Sequence, residues 1–197
     1  MADGVPISEF KINKLGYRIL GVIARAPQSG YDIVKALIKF RRVNISQVYP
    51  IVTEMEAHGM LRCEEVVQSG KPNKKVYHLL QPGRALLQDW IAGPTDPPEP
   101  RDEFVAKVFS LWTARPQDRA RLIHERLGQL DTEMAYFSGK LDALHSEHSD
   151  STQDPETWQF CRNILMQRRM ALYRDEIQWC HEVLRKLECA PNAPHSS

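Results

Sequence analysis

The sequence predicts a mainly α-helical fold with one small β-hairpin, a short N-terminal module followed by a longer, wholly helical C-terminal region. Three observations predict it. Three amphipathic segments between Leu15 and Gly59 are followed by two β-type runs separated by turn-forming residues. Four prolines crowd the stretch from Gly93 to Arg101. Beyond that stretch, apolar residues recur in steps of three and four, and no β-type run appears.

The first helix is expected from about Asn13 to Arg25, with Leu15, Ile19, Val22, Ile23 and Ala26 buried. Pro27-Gln28-Ser29-Gly30 breaks it, and Ser29 is placed to cap the next helix. That second helix runs from Gly30 to about Phe40 and buries Tyr31, Val34, Leu37 and Ile38; Arg41-Arg42 complement its dipole. Tyr77 is also expected in the core.

The third helix starts after a plausible cap at Asn44 and ends at His58-Gly59. At about 100° per residue, Val48, Ile51, Val52 and Met55 share one face. Ser46, Pro50, Thr53 and Ala57 lie opposite, flanked by Gln47 and Tyr49. An ordinary solvated face carries Lys and Glu. A short, polar, nearly uncharged face instead suits the floor of a DNA major groove, where hydroxyls and amides meet base edges. Pro50 predicts a kink or a tightened first turn.

Met60–Val67 and Lys74–Leu80 read as two strands, joined by a turn that brings Lys71, Lys74 and Lys75 near the hairpin tip. Pro82 then opens a fourth helix ending near Ala92. Three helices, a basic hairpin and a further helix make the order of a winged helix-turn-helix.

In the C-terminal region a helix is expected over Asp102–Ala114, and a long one from Pro116 to about His145. On the long one, Ala120, Ile123, Leu127, Leu130, Met134, Phe137, Leu141 and Leu144 keep a coiled-coil spacing. His145–Asp154 reads as a polar loop, with His145 and His148 solvated rather than metal-bound. The last helix, from Pro155 to about Leu187, carries two stripes. One is Met166, Met170, Tyr173, Ile177, Cys180, Leu184 and Leu187; the other is Trp158, Cys161, Leu165, Leu172, Trp179 and Val183. So wide an apolar arc needs two covers, one in the same chain and one in a second subunit. Met166, Met170, Tyr173, Ile177 and Leu184 are the expected dimerisation residues. Trp112, Trp158 and Trp179 are a candidate pocket for a small aromatic effector, against the plainer reading of core or interface.

The expected organisation is a winged-helix DNA-binding domain over 1–92, a proline-rich linker over 93–101, a helical dimerisation and effector domain over 102–188, and a flexible tail over 189–197. The 197 residues suffice for two small domains. The net charge of +1 hides an asymmetry: residues 1–92 hold thirteen Lys and Arg against eight Asp and Glu, and the remainder thirteen against seventeen. No apolar run approaches a membrane span, and no export signal opens the chain, so a cytoplasmic protein without a membrane partner is expected. Cys63, Cys161, Cys180 and Cys189 form no CxxC pair and have no His at zinc-ligand spacing. With no phosphate loop or nucleophile–base order either, neither a metal, a cofactor nor catalysis is expected.

Leu15-Gly16, Ser29-Gly30-Tyr31-Asp32-Ile33, Ser46-Gln47-Val48-Tyr49-Pro50, Glu56 through Gly59, and Lys75-Val76-Tyr77-His78-Leu79 leading to Gly83 together resemble the PadR family of bacterial transcriptional regulators. The resemblance covers Leu15 to Trp90, and Arg101-Asp102-Glu103-Phe104 looks like the start of the helical region in the family's longer branch. It implies a winged-helix domain with C-terminal dimerisation helices, repressing genes and released by a small ligand. Ser46, Gln47 and Tyr49, with Asn44 and Thr53 beside them, would then be recognition-helix residues, and Lys71, Lys74 and Lys75 wing contacts to phosphate. One departure is Gln81, where such sequences usually carry a Ser or Thr cap before the proline. The expected partners are double-stranded DNA with a near-palindromic operator, a second copy of the chain, and a small aromatic effector. The alternative is a winged-helix protein-interaction module without sequence-specific DNA binding.

Overall fold

Asn13 starts the first helix: its side-chain oxygen accepts from the backbone N–H of Leu15 and of Gly16, each at 3.0 Å. The computed structural model describes residues 12–37, 43–67, 73–95, 97 and 102–189. The chain divides into two units, Met1–Pro97 and Pro98–Ser197.

The first unit contains α1 (Lys14–Ile23), β1 (Gln28–Ser29), α2 (Gly30–Leu37), α3 (Ile45–Ala57), β2 (Leu61–Val66), β3 (Lys74–Leu79) and α4 (Gln81–Ala92). Its core gathers Ile19, Leu20, Ile33, Val48, Val52, Met55, Met60, Leu61 and Tyr77. The sheet order is β1-β3-β2, antiparallel throughout. Leu61 stands opposite Leu79 and Val66 opposite Lys74, while Gln28 pairs with Tyr77 and Ser29 with Val76. The hairpin was expected; the third strand was not, because two residues show no periodicity.

The end of α3 follows from one glycine. Gly59 takes φ +68°, a conformation costly for residues with a Cβ. This lets its N–H reach Glu56 O at 3.0 Å and the Met60 N–H reach Met55 O at 2.9 Å. Met55 and Met60, brought together by this turn, are both fully buried.

Three expectations in this unit need correction. α1 stops at Ile23, so Ala26 is exposed. Tyr31 is 66% exposed rather than core, because α2 begins at Gly30 with Ile33 and Leu37 turned inward. Leu80, not Gln81, is the N-cap of α4, with Gln81 and Pro82 inside its first turn. α3 continues through the exposed Pro50, and its first turn is tight, the Gln47 N–H reaching Asn44 O at 3.0 Å. Ile38, Arg41 and Arg42 lie outside the described residues.

The second unit contains α5 (Glu103–Phe109), a 3-10 turn (Leu111–Thr113), α6 (Pro116–His148), a second 3-10 turn (Asp150–Thr152) and α7 (Trp158–Glu188). The α5 helix is shorter than expected, ending at Phe109. The α7 helix begins at Trp158, where the Thr157 hydroxyl accepts from the Phe160 N–H at 3.2 Å. α6 and α7 pack antiparallel: Ile123, Leu127 and Leu130 meet Cys180 and Leu184, and Phe137 and Leu144 meet Met166. A buried Asn163 fixes the register near the hairpin end, its Oδ1 accepting from His145 Nε2 at 3.0 Å and its amide nitrogen donating to Thr152 O at 3.4 Å. His145 and His148 thus sit in the last turn of α6, not in a loop.

The expected dimerisation residues are packed within the chain. Met166, Met170, Tyr173, Ile177 and Leu184 pack against α6 of the same chain and are occupied there. The other stripe is the bare one: Leu165, Leu172 and Trp179 are 54%, 49% and 40% exposed, with Ile164 and Cys161 beside them. The three indoles do not share a pocket within one chain. Trp158 packs edge-on to His148 and Trp179 edge-on to Phe104, each with ring centroids 6.1 Å apart. Those two positions lie roughly 30 Å apart along α7 at its rise per residue. Trp112, on the first 3-10 turn, is 79% exposed. Of the expected linker, Gly93–Thr95 and Pro97 are described; of the expected tail, only Cys189, which is exposed.

Candidate nucleic-acid interface

The phase of α3 sets the candidate surface. Burying Val48, Val52 and Met55, and half-burying Ile51, turns Ser46, Gln47, Tyr49 and Thr53 outward. Asn44, the N-cap, is exposed as well. Gln47 is partly engaged: its side-chain oxygen accepts from the Asn44 backbone N–H at 3.0 Å, closing the first turn. Its amide nitrogen remains to donate outward, and the oxygen keeps a second lone pair.

Tyr49 lies over the start of α2. A Cβ built on Gly30 would stand 2.8 Å from Tyr49 Cζ and 2.9 Å from its hydroxyl oxygen. Glycine at position 30 is what lets the phenol lie there, still 40% exposed. Sequence reasoning had placed Tyr49 on the interface but not its support.

The wing is less uniform than three lysines suggest. Lys75 is exposed and makes no ion pair among the described residues. Lys74 is turned inward, its Nζ 2.9 Å from Asp32 Oδ2 at the first turn of α2. The Ser29 hydroxyl donates to that same oxygen at 2.6 Å and accepts from the Asp32 N–H at 3.2 Å. These partners hold the Asp32 carboxyl below its usual range, the Ser29 hydrogen bond first and the Lys74 ammonium next. Lys71 lies outside the described residues. Behind the wing, burial pushes the Tyr77 phenol up to about 12, so it stays neutral. Ser29 was legible as a cap for α2; its bond to Asp32 and the reach of Lys74 back to that carboxylate across the fold were not.

A basic hairpin, a helix with an outward polar face and a three-stranded sheet joining them are the parts of a winged helix. A family model described as the transcriptional regulator PadR-like family matches residues 19–89, and one described as the virulence activator alpha C-term matches 100–188. Residues 19–89 are thus PadR-like, the part of such regulators that the winged helix forms here. The second match fits the longer branch of such regulators, with a multi-helix C-terminal region. The negative transcriptional regulator PadR of Bacillus subtilis (strain 168) is 24% identical over 180 residues, 88% of this chain and 97% of the relative. A probable transcriptional regulator of Mycobacterium tuberculosis is 33% identical over 90 residues, 44% of this chain and 48% of the relative. Among solved structures, Bacillus subtilis PadR in complex with operator DNA matches with TM-score 0.79 at 23% identity, over 90% of this chain and 99% of that one. The Vibrio cholerae virulence activator AphA matches with TM-score 0.65 at 24% identity, over 89% and 98%. These likenesses establish a shared fold. No helix among the described residues is long and apolar enough to cross a membrane.

Proposed function

We propose that this transcriptional regulator is a cytoplasmic dimeric repressor that reads a near-palindromic operator and acts by binding rather than catalysis. The observation that carries the reading is the outward face of α3 from Ser46 to Thr53, polar and uncharged beside a basic hairpin, with the exposed carboxylates Glu54 and Glu56 confined to its C-terminal end. In it Ser46, Gln47, Tyr49 and Thr53 meet base edges, Asn44 lies at the groove margin, and Lys71 and Lys75 neutralise phosphate. The bare stripe of Leu165, Leu172 and Trp179 is covered by a second copy, since an apolar patch of that length is rarely left in water. Repression is supported by the negative regulator among its relatives.

Release by a small aromatic effector is supported by a solved structure of Bacillus subtilis PadR in complex with p-coumaric acid. An effector releases DNA only by binding one arrangement of the dimer better than the other. Because Trp112, Trp158 and Trp179 stand apart in one chain, any pocket using them is completed by the second copy.

Selection from a random-sequence duplex pool tests the reading. The full chain should enrich an inverted repeat whose half-sites lie about one helical turn apart, with affinity falling steeply with salt. Recovery of no common sequence, with no salt dependence, would overturn it in favour of a protein-interaction module.

A further inference from the structure

We propose that Asp32 is a positioning residue for the wing, holding Lys74 as a strut between α2 and β3 and leaving phosphate contact to Lys75. The inference rests on the DNA-binding reading above. β1 pairs with Val76 and Tyr77 only, whereas Lys74 lies two residues closer to the hairpin tip, in the last described pair with Val66. From there its ammonium reaches Asp32 Oδ2 at 2.9 Å, and the same oxygen accepts from Ser29, the β1 residue that also caps α2. The strut therefore extends the attachment of the wing beyond its backbone ladder, and ties it to the turn on which Tyr49 rests. Both partners are a little over a third exposed, so the pair fixes geometry more than it adds stability.

Charge arithmetic separates this role from phosphate binding. A lysine already neutralised by a carboxylate displaces no condensed counterion when DNA arrives; an unpaired one does. Asp32 also places a negative charge beside the DNA surface, so its removal should tighten binding unless the strut matters.

The test measures anisotropy of a labelled duplex enriched from a random pool by the wild-type chain, and of an unrelated duplex, against salt. Lys74→Ala should weaken binding to the enriched duplex about 1.5- to 5-fold, the range set by a partly exposed ion pair, and leave the salt slope unchanged. Asp32→Asn should weaken it by a similar factor, and the double variant no further. Lys75→Ala should instead flatten the slope by about 0.9. Lys74→Arg, which keeps the pair, should bind as wild type and guards against a folding defect in the alanine variant. A slope flattened by Lys74→Ala, or tighter binding by Asp32→Asn, would make Lys74 a phosphate ligand and overturn the strut with DNA binding intact. If the wild type binds neither duplex in a salt-dependent way, the DNA-binding reading itself falls, and the strut with it.

Discussion

Gly30→Ala separates the reading surface from the fold on which it sits. The added methyl would stand 2.8, 2.9 and 3.1 Å from Tyr49 Cζ, Oη and Cε1, so the ring must move. Those atoms are the far end of a side chain already 40% exposed, so the ring has room to swing outward. Gly30 is helical with ordinary negative φ, so the backbone accepts alanine. A methyl in place of hydrogen within a helix stabilises by up to about 1 kcal/mol, less at a first turn. Losing the ring's contact with the α2 backbone offsets part of that. The net stability change should stay within about 1 kcal/mol, or about 4–8 °C in Tm for a unit of this size.

Binding should respond differently. If the Tyr49 hydroxyl makes one hydrogen bond to DNA from its present place, misplacing it costs about 0.5–1.5 kcal/mol, roughly 2- to 12-fold in Kd. Thermal unfolding and anisotropy on the enriched duplex, run side by side, read both quantities. Wild-type affinity in Gly30→Ala, together with lost affinity in Tyr49→Ala, would refute the argument that the Gly30 contact places the ring.

Gln47→Ala removes the acceptor for the Asn44 N–H and should cost about 0.5–1.5 kcal/mol in denaturant unfolding. It should also lower discrimination between enriched and random duplexes by about 1–3 kcal/mol, and unchanged discrimination would assign Gln47 to capping alone. Leu172→Glu places a charge on the bare α7 stripe and should yield a folded monomer in sedimentation; a persistent dimer would move the interface elsewhere. Asp32 has a folded pKa below its unfolded value, so its contribution to stability is present above the ordinary carboxylate range and lost as pH falls through the lower folded value. Asp32→Asn should therefore flatten the acid limb of stability against pH, and an unchanged limb would refute the Ser29 and Lys74 stabilisation.

What was legible in the sequence was periodic. The α6 seam from Ile123 to Leu144, the inward face of α3 and the two wing strands all show the repeat that their geometry imposes. What escaped had no period or two equal ones. β1 is two residues long, and Tyr31 and Ile33 are both apolar enough to be core, so only the start of α2 decides between them. On α7 both stripes are apolar. Periodicity identifies two faces without naming which meets α6, and the dimer residues were placed on the face the chain covers itself. At the candidate interface, residue types and their face were readable; Gln47 turned back to its cap is a local contact that the face pattern alone does not reveal, and Lys74 turned inward to Asp32 is a tertiary one.

The geometry of α3 belongs to the fold rather than to its own sequence, and a peptide shows it. The helix is thirteen residues long, at the margin where isolated helices form in water even when rich in alanine. It carries Ile45, Val48, Ile51, Val52 and Thr53, all β-branched, and a proline at its sixth position. That proline removes the hydrogen bond to Ser46 and alone costs about 3 kcal/mol against alanine. Inside the protein these costs are offset by burial of Val48, Val52, Met55 and Met60, by the Gln47 cap and by the Gly59 turn. A peptide of residues 43–60 keeps both ends and loses only the core. Its circular dichroism in water should therefore be that of a coil, with helix appearing only in alcohol. A clearly helical spectrum in water would mean that local sequence, not packing, holds Ser46, Tyr49 and Thr53 on one face.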